Sequence, residues 1–428
     1  MNLRALAEAL LDSRCARDTI DLHVKDTLAA FFVGAATAEG NALARFYGSG
    51  TDRAERAAAA AGIARLSECD DIHLASCVTP GAVVIPVALA FAESDTDKFY
   101  RAVAAGYAAG LRLGIAIGGA KALAAGTWPT LLAAPLMAAV TACICHGHNA
   151  DQLAHAMALA LAGGSGRLGG PSGQSSARWV RLAEAVMNGL RASQAAGEGA
   201  RGDVSLVSRS WLAGAVGHDD VELAALDPCG SVPSVADVGF KPFPIARQAQ
   251  NAVFAFQRLL QKGIAPSRID AIDVFVPSTN VSLLSRPLAD DDRLSRLCNI
   301  GYQLAAAALA PGLLDDVERT PGADIPLTEF ARRVSVKPSV ELDAHLPHRW
   351  AATVTVVSRR DRSEETVIRT PFDHDADNLA HALGEKWRRL LSADRALFLD
   401  KVAKVGPSAL WQMIERHVSM LAKPGSHG

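Results

Sequence analysis

Four ionisable side chains fall within six residues: Glu68, Asp70, Asp71 and His73. Crowded carboxylates raise one another's pKa, and an imidazole beside them changes charge near neutrality. Such a cluster could move protons. A charge-free run from Ala82 to Ala92 follows, entered through Thr79-Pro80-Gly81. Pro suits a first helical turn and Gly a close approach. The spacing therefore predicts a helix ending near Cys69, a short acidic loop, and a new helix entering the core. The plainer alternative is a solvated acidic turn that caps the next helix, with His73 an ordinary loop histidine.

The rest of the chain must hold that loop in place. It has 428 residues, 50% of them hydrophobic, and a formal net charge of −2, which suffices for a large core and two domains. Near-neutral charge without a basic tract argues against a nucleic-acid binder. Ala and Gly are abundant and aromatics make up only 5%, which suits closely packed helices. Seven scattered cysteines without a CxxC pair read as reduced thiols in a cytoplasmic protein. No signal peptide is expected, because the N-terminal stretch is amphipathic and charged throughout. The longest uncharged run, Ala122 to Cys145, is interrupted by Gly126, Pro129 and Pro135 and reads as a core helix after a loop, with no membrane partner.

Helical spacing marks residues 3–12, 17–34, 53–67, 131–145, 151–162 and 177–197, with no credible strand before residue 235. The texture changes after Val238. Short β-branched runs at 269–276, 334–337, 352–357 and 366–369 read as strands, with helices at 246–262 and 298–310 among them. Residues 376–392 and 396–422 return to helix. The fold class predicted is mainly α with an α+β lid. A large all-helical domain spans 1–238, completed by helices in 376–428. A smaller α+β domain with an antiparallel sheet spans 239–375.

Along nearly its whole length the chain resembles the MmgE/PrpD family, which includes 2-methylcitrate dehydratase, cis-aconitate decarboxylase and iminodisuccinate epimerase. The resemblance rests on Asp70-Asp71-x-His73, on Pro80-Gly81 through Pro86 to Glu93, and on Gly106-Tyr107 with Arg112-Leu-Gly. Gly126-x-x-Pro129-Thr130, Lys241-Pro-Phe-Pro244 and Tyr302 complete it. It implies a helical domain plus lid with the active site in the cleft between them, a homodimer, and chemistry without a cofactor. Several positions depart from the family pattern. Glu68 and Cys69 replace an Asp-aromatic pair, and Ile72 replaces a Thr. Thr79 and Trp128 stand where the family has active-site imidazoles. Arg178 aligns with a Lys, while Ala246 and Gln250 replace a later Cys and His.

Removing water or CO2 next to a carboxylate requires a base for the neighbouring proton and cations for the carboxylates. By the resemblance, Asp71, His73, Lys241, Tyr302 and Glu68 are the catalytic candidates. Arg178, Thr79, Trp128, Asp70 and Arg112 are the substrate-binding candidates. Arg stays charged, so Arg178 cannot serve as base. Trp128 narrows the pocket and makes it more apolar. The function expected is a cofactor-independent lyase or isomerase acting on a small carboxylate. The alternative is a degenerate relative that binds a ligand or partners an active paralogue. Plainer readings exist for single residues: Arg178 paired with Glu184 or Asp203, and Lys241 as an exposed loop lysine. Cys143-x-Cys145-His146-x-His148 lacks structural-zinc spacing, so no metal site is expected there. The Gly-rich run 163–176 lacks a preceding strand and reads as a linker.

Overall fold

The computed structural model describes residues 1–167, 176–231, 233–288, 293–318, 325–358 and 361–423. Most of the Gly-rich run 163–176 lies outside the described residues. The chain divides into two compact units, Met1–Phe240 with Leu390–Gly428, and Lys241–Arg389.

The first unit is helical, and among its described residues β-structure is limited to isolated bridges. Helix Pro129–His146 packs along both Ser176–Gly197 and Thr96–Ala116. Pro129 opens it at a position where the missing N–H costs nothing, and Gly147 closes it in the left-handed region at φ 74°. It is the one described helix long and apolar enough to cross a membrane, and 94% of it is buried inside the protein as a core element. Small residues let the helices approach. A Cβ on Gly34 would lie 1.9 Å from the Ile63 carbonyl oxygen, so helix Arg17–Ala35 meets Arg53–Leu66 nearly backbone to backbone. Helix Gly81–Phe91 begins where the Pro80-Gly81 signal places it, and ten of its eleven residues are buried.

The second unit carries β1 (Ala271–Val276), β2 (Val334–Pro338), β3 (Ala352–Val357) and β4 (Arg362–Val367) in the order β2-β1-β3-β4. The sheet is mixed rather than antiparallel: β1 runs parallel to β2, with Ile272 opposite Val334, while β3 is antiparallel to β1 and to β4. The cause lies in the connection. Helices such as Ile300–Leu309 and Ile325–Ala331 intervene between β1 and β2, and such a crossover returns the chain in the same direction. β4 starts earlier than the expected 366–369, because exposed Arg362 and Glu364 hide its alternation. Helix Leu379–Leu390, assigned from sequence to the helical domain, falls almost wholly in this second unit. The core of this unit gathers Phe256, Ile272, Val274, Tyr302, Leu304, Val354 and Val356.

Candidate active site

The acidic loop is buried, not solvated. Asp70 and Asp71 are 0% and 1% exposed, and Glu68 and His73 are buried with them. Helix Arg53–Leu66 ends at Ser67, and Glu68 then turns the chain at φ 56°. Cys77 does the same at φ 55°. Non-glycine residues adopt this region at a cost, and such strain gathers at sites where the surroundings over-determine the backbone. Two bridges pin the loop: Ile72 to Gly239 and His73 to Val78.

Asp71 is the centre of this arrangement. Its Oδ1 accepts the Gly81 N–H at 2.9 Å, which anchors it at the start of helix Gly81–Phe91. Its Oδ2 accepts the Tyr107 hydroxyl at 2.6 Å and lies 2.8 Å from His23 Nδ1. Three donors thus converge on this one carboxylate, and hydrogen bonds to a charged acceptor are short and strong. Burial, then the nearby charge of Asp71, pushes the Tyr107 phenol well above its ordinary value, so it stays a donor. Phe240 stacks on the His23 ring with centroids 4.5 Å apart, and Tyr107 meets that ring edge-on.

A second cluster adjoins the loop. Arg65 is buried and reaches Glu68 Oε2 at 2.8 Å and Asp70 Oδ1 at 3.3 Å. Burial works against its charge, but Asp70 and then Glu68 outweigh that and raise its pKa. Its guanidinium lies 5.0 Å from the Trp128 ring, and that of Arg178 lies at the same distance. Trp128 and Trp179 meet edge-on at 5.9 Å. Two cations thus share one aromatic platform, a favourable arrangement for guanidinium groups.

The remaining predicted residues have partners of their own. His73 Nδ1 lies 2.9 Å from Ser76 Oγ, within its own loop. Thr79 Oγ1 shares a hydrogen bond with Thr130 Oγ1 at 3.1 Å. Arg112 donates to the carbonyls of Ala225 and Asp227, so it braces a loop elsewhere in the first unit. Of the expected surface pairs, it is Arg181 that meets Glu184, while Asp203 binds Ser205. Lys241 opens the second unit and is 1% exposed, so it is no surface lysine. Its Pro-Phe-Pro continuation is held by Arg389, which donates to the Pro242 carbonyl at 3.0 Å and lies over the Phe243 ring. Tyr302 is buried in the core of the second unit. Among the described residues no three His, Cys, Asp or Glu are grouped to hold a metal ion. Cys143 instead lies 3.2 Å from Ser193 Oγ, and burial pushes its thiol up to about 12.

A sequence model of the MmgE/PrpD N-terminal domain matches residues 12–223, and one of the C-terminal domain matches residues 243–396. The chain belongs to the MmgE/PrpD family. The family includes lyases and dehydratases, which supports an enzyme of that broad kind acting on small carboxylates. A search of curated proteins returns no significant match.

For an MmgE/PrpD chain, the residues that sequence reasoning missed are as informative as those it named. His23 carries no motif. Its signal was a histidine and, three residues on, Asp26, both buried among Ile20, Val24 and Leu28 on one helix. Tyr107 was noted only for its place beside Gly106. Arg65 closes an Ala-rich helix whose neighbours gave no hint of a buried cation.

Proposed function

We propose that this chain is a cofactor-independent lyase or isomerase that removes the proton next to the carboxyl group of a small carboxylate. One observation supports it most: ionisable side chains are gathered under burial in the first unit, with Asp71 at 1% exposure and Glu68, Asp70 and Arg65 buried as well. Taking ions out of water costs several kcal/mol each, so charges gathered under burial call for partners or a role. In this proposal Arg178, presented from the Trp128 platform, holds a carboxylate of the substrate. Asp71 positions, and Glu68 and Asp70 are neutralised by Arg65. His73 and Thr79 contribute polar contacts. We further propose a cytoplasmic homodimer. The thiols of Cys15, Cys77, Cys143, Cys145 and Cys229 suit a reducing compartment.

The test is deuterium incorporation into a panel of small di- and tricarboxylates, followed by NMR with the purified full chain. Exchange at a carbon next to a carboxyl group, or a new product, is expected for at least one member. Exchange into none overturns the proposal. The second reading, a protein that binds a carboxylate without turning it over, draws on Thr79 and Trp128, which put no imidazole at either position. Saturable binding without exchange would favour it.

A further inference from the structure

We propose that His23 is the proton acceptor of this site, working through Nε2, with Asp71 as its positioning residue. The inference rests on the lyase or isomerase reading above and adds the residue that it lacks. Asp71 is an acceptor, so the 2.8 Å contact fixes the proton on Nδ1 of His23 and leaves the Nε2 lone pair as the ring's acceptor. Nε2 takes part in no hydrogen bond with the described residues. One turn further along the same helix, Thr27 Oγ1 is also buried with no partner among the described residues. Residues four apart share a helix face. Gly81 joins the two sides: a Cβ there would lie 2.7 Å from Thr27 Oγ1 and 2.8 Å from both Asp71 Oδ2 and the Tyr107 hydroxyl. An open imidazole nitrogen and an open hydroxyl beside a fully engaged carboxylate make a polar site that a ligand completes.

The dyad logic is that of any carboxylate-oriented imidazole. The C–H bond next to the substrate carboxyl breaks as an N–H bond forms at Nε2. Its electron pair moves into the carboxyl-stabilised enolate. The imidazolium so formed is balanced by Asp71. In an isomerase acting on an unsaturated substrate, Nε2 returns the proton to a different carbon of the delocalised anion, and the double bond moves. In a lyase the electron pair expels the leaving group and Nε2 gives its proton to that group or to water. His23 thereby supplies, from the Arg17–Ala35 helix, the imidazole that Thr79 and Trp128 do not.

Two arms test this on the full chain. In the first, diethyl pyrocarbonate acylates imidazole nitrogens and peptide mapping reads which ones. His23 is expected to react, and more slowly in Asp71→Asn, which loses the tautomer constraint. An unmodified His23 beside fully modified, exposed His381 overturns the proposal. In the second, His23→Gln is assayed on the carboxylate that exchanges deuterium with wild type, after a melting curve confirms folding. Exchange is expected to fall about 10²–10⁴-fold with KM changed little. Should His23→Gln not fold, Asp71→Asn takes its place, with kcat expected to fall and KM to hold. Exchange within threefold of wild type in the folded variant sinks His23 while the lyase or isomerase reading stands. A wild type that exchanges nothing sinks both.

Discussion

The Tyr107 hydroxyl donates to Asp71 Oδ2 at 2.6 Å, and both residues are buried. Tyr107→Phe removes one of the three donors on that carboxylate. A hydrogen bond to a charged group contributes about 1.5–3 kcal/mol, so stability should fall by that amount at neutral pH. The penalty should shrink in alkali. Below the unfolded tyrosine value near 10, both states keep the phenol proton. Above it the unfolded chain loses the proton first, because the folded pKa is raised well beyond its ordinary value. The unfolded state then binds fewer protons, and wild-type stability drops as pH rises, while phenylalanine has no such proton to lose. Urea unfolding of both proteins at about pH 8 and about pH 11 checks the direction.

Arg65→Met should cost about 3–5 kcal/mol, because it leaves Glu68 and Asp70 buried without their cation. Arg65→Lys should recover only part of this. An ammonium keeps the charge but loses the fork that reaches two carboxylates and the flat face over Trp128 and Trp179. Denaturant midpoints of the two variants rank them. Equal midpoints for Lys and Met would mean that charge contributes nothing here.

The sequence made much of the frame legible. Pro80-Gly81 placed a helix start correctly because local chemistry alone decides it. The strands at β1 and β3 were visible through their β-branched alternation. The direction of β2 was not, since register and sense depend on a crossover rather than on the strand's own residues. Within the site, the acidic loop was legible because its four ionisable groups are adjacent in sequence. His23, Arg65 and Tyr107 reach it from three other helices, and no local pattern records such a meeting. Burial also separated lookalikes: Arg112 and Arg178 read alike as carboxylate binders, yet Arg112 spends its donors on backbone carbonyls.

Two glycine substitutions should differ in kind. In Gly34→Ala the new methyl meets the Ile63 carbonyl oxygen, a backbone atom, so two helices must separate. Overpacking of this sort costs about 1–3 kcal/mol or more. In Gly81→Ala the atoms met belong to the side chains of Thr27, Asp71 and Tyr107, which can rotate. The gain in helix propensity, about 1 kcal/mol, offsets some of the strain. Gly81→Ala should therefore melt closer to wild type than Gly34→Ala, yet lose most deuterium exchange through a displaced Asp71. A Gly81→Ala protein with full exchange would show that Asp71 geometry does not matter to the reaction.

The protein should be a poor catalyst for the 2-methylcitrate dehydratase and cis-aconitate decarboxylase reactions that its family resemblance implies. By the resemblance, both use imidazoles where this chain has Thr79 and Trp128. Thr79 is committed to Thr130, and neither residue can exchange a proton near neutrality. Removing a positioned acid or base lowers rates by about 10²–10⁴-fold, against a usual turnover on the order of 10 s⁻¹. Restoring the imidazoles in a Thr79→His, Trp128→His double variant should not recover those activities. Trp128 lies under both Arg65 and Arg178 and against Trp179, so its loss removes two cation–π contacts of about 0.5–2 kcal/mol each and frees the guanidinium proposed to hold substrate. The Trp128→His change should thus lower stability and weaken carboxylate binding together. Assays of wild type and double variant with both substrates decide the matter. Wild-type turnover at the usual enzyme scale would refute the assignment of proton transfer away from those two positions, and recovery in the double variant would refute the role given to the Trp128 platform.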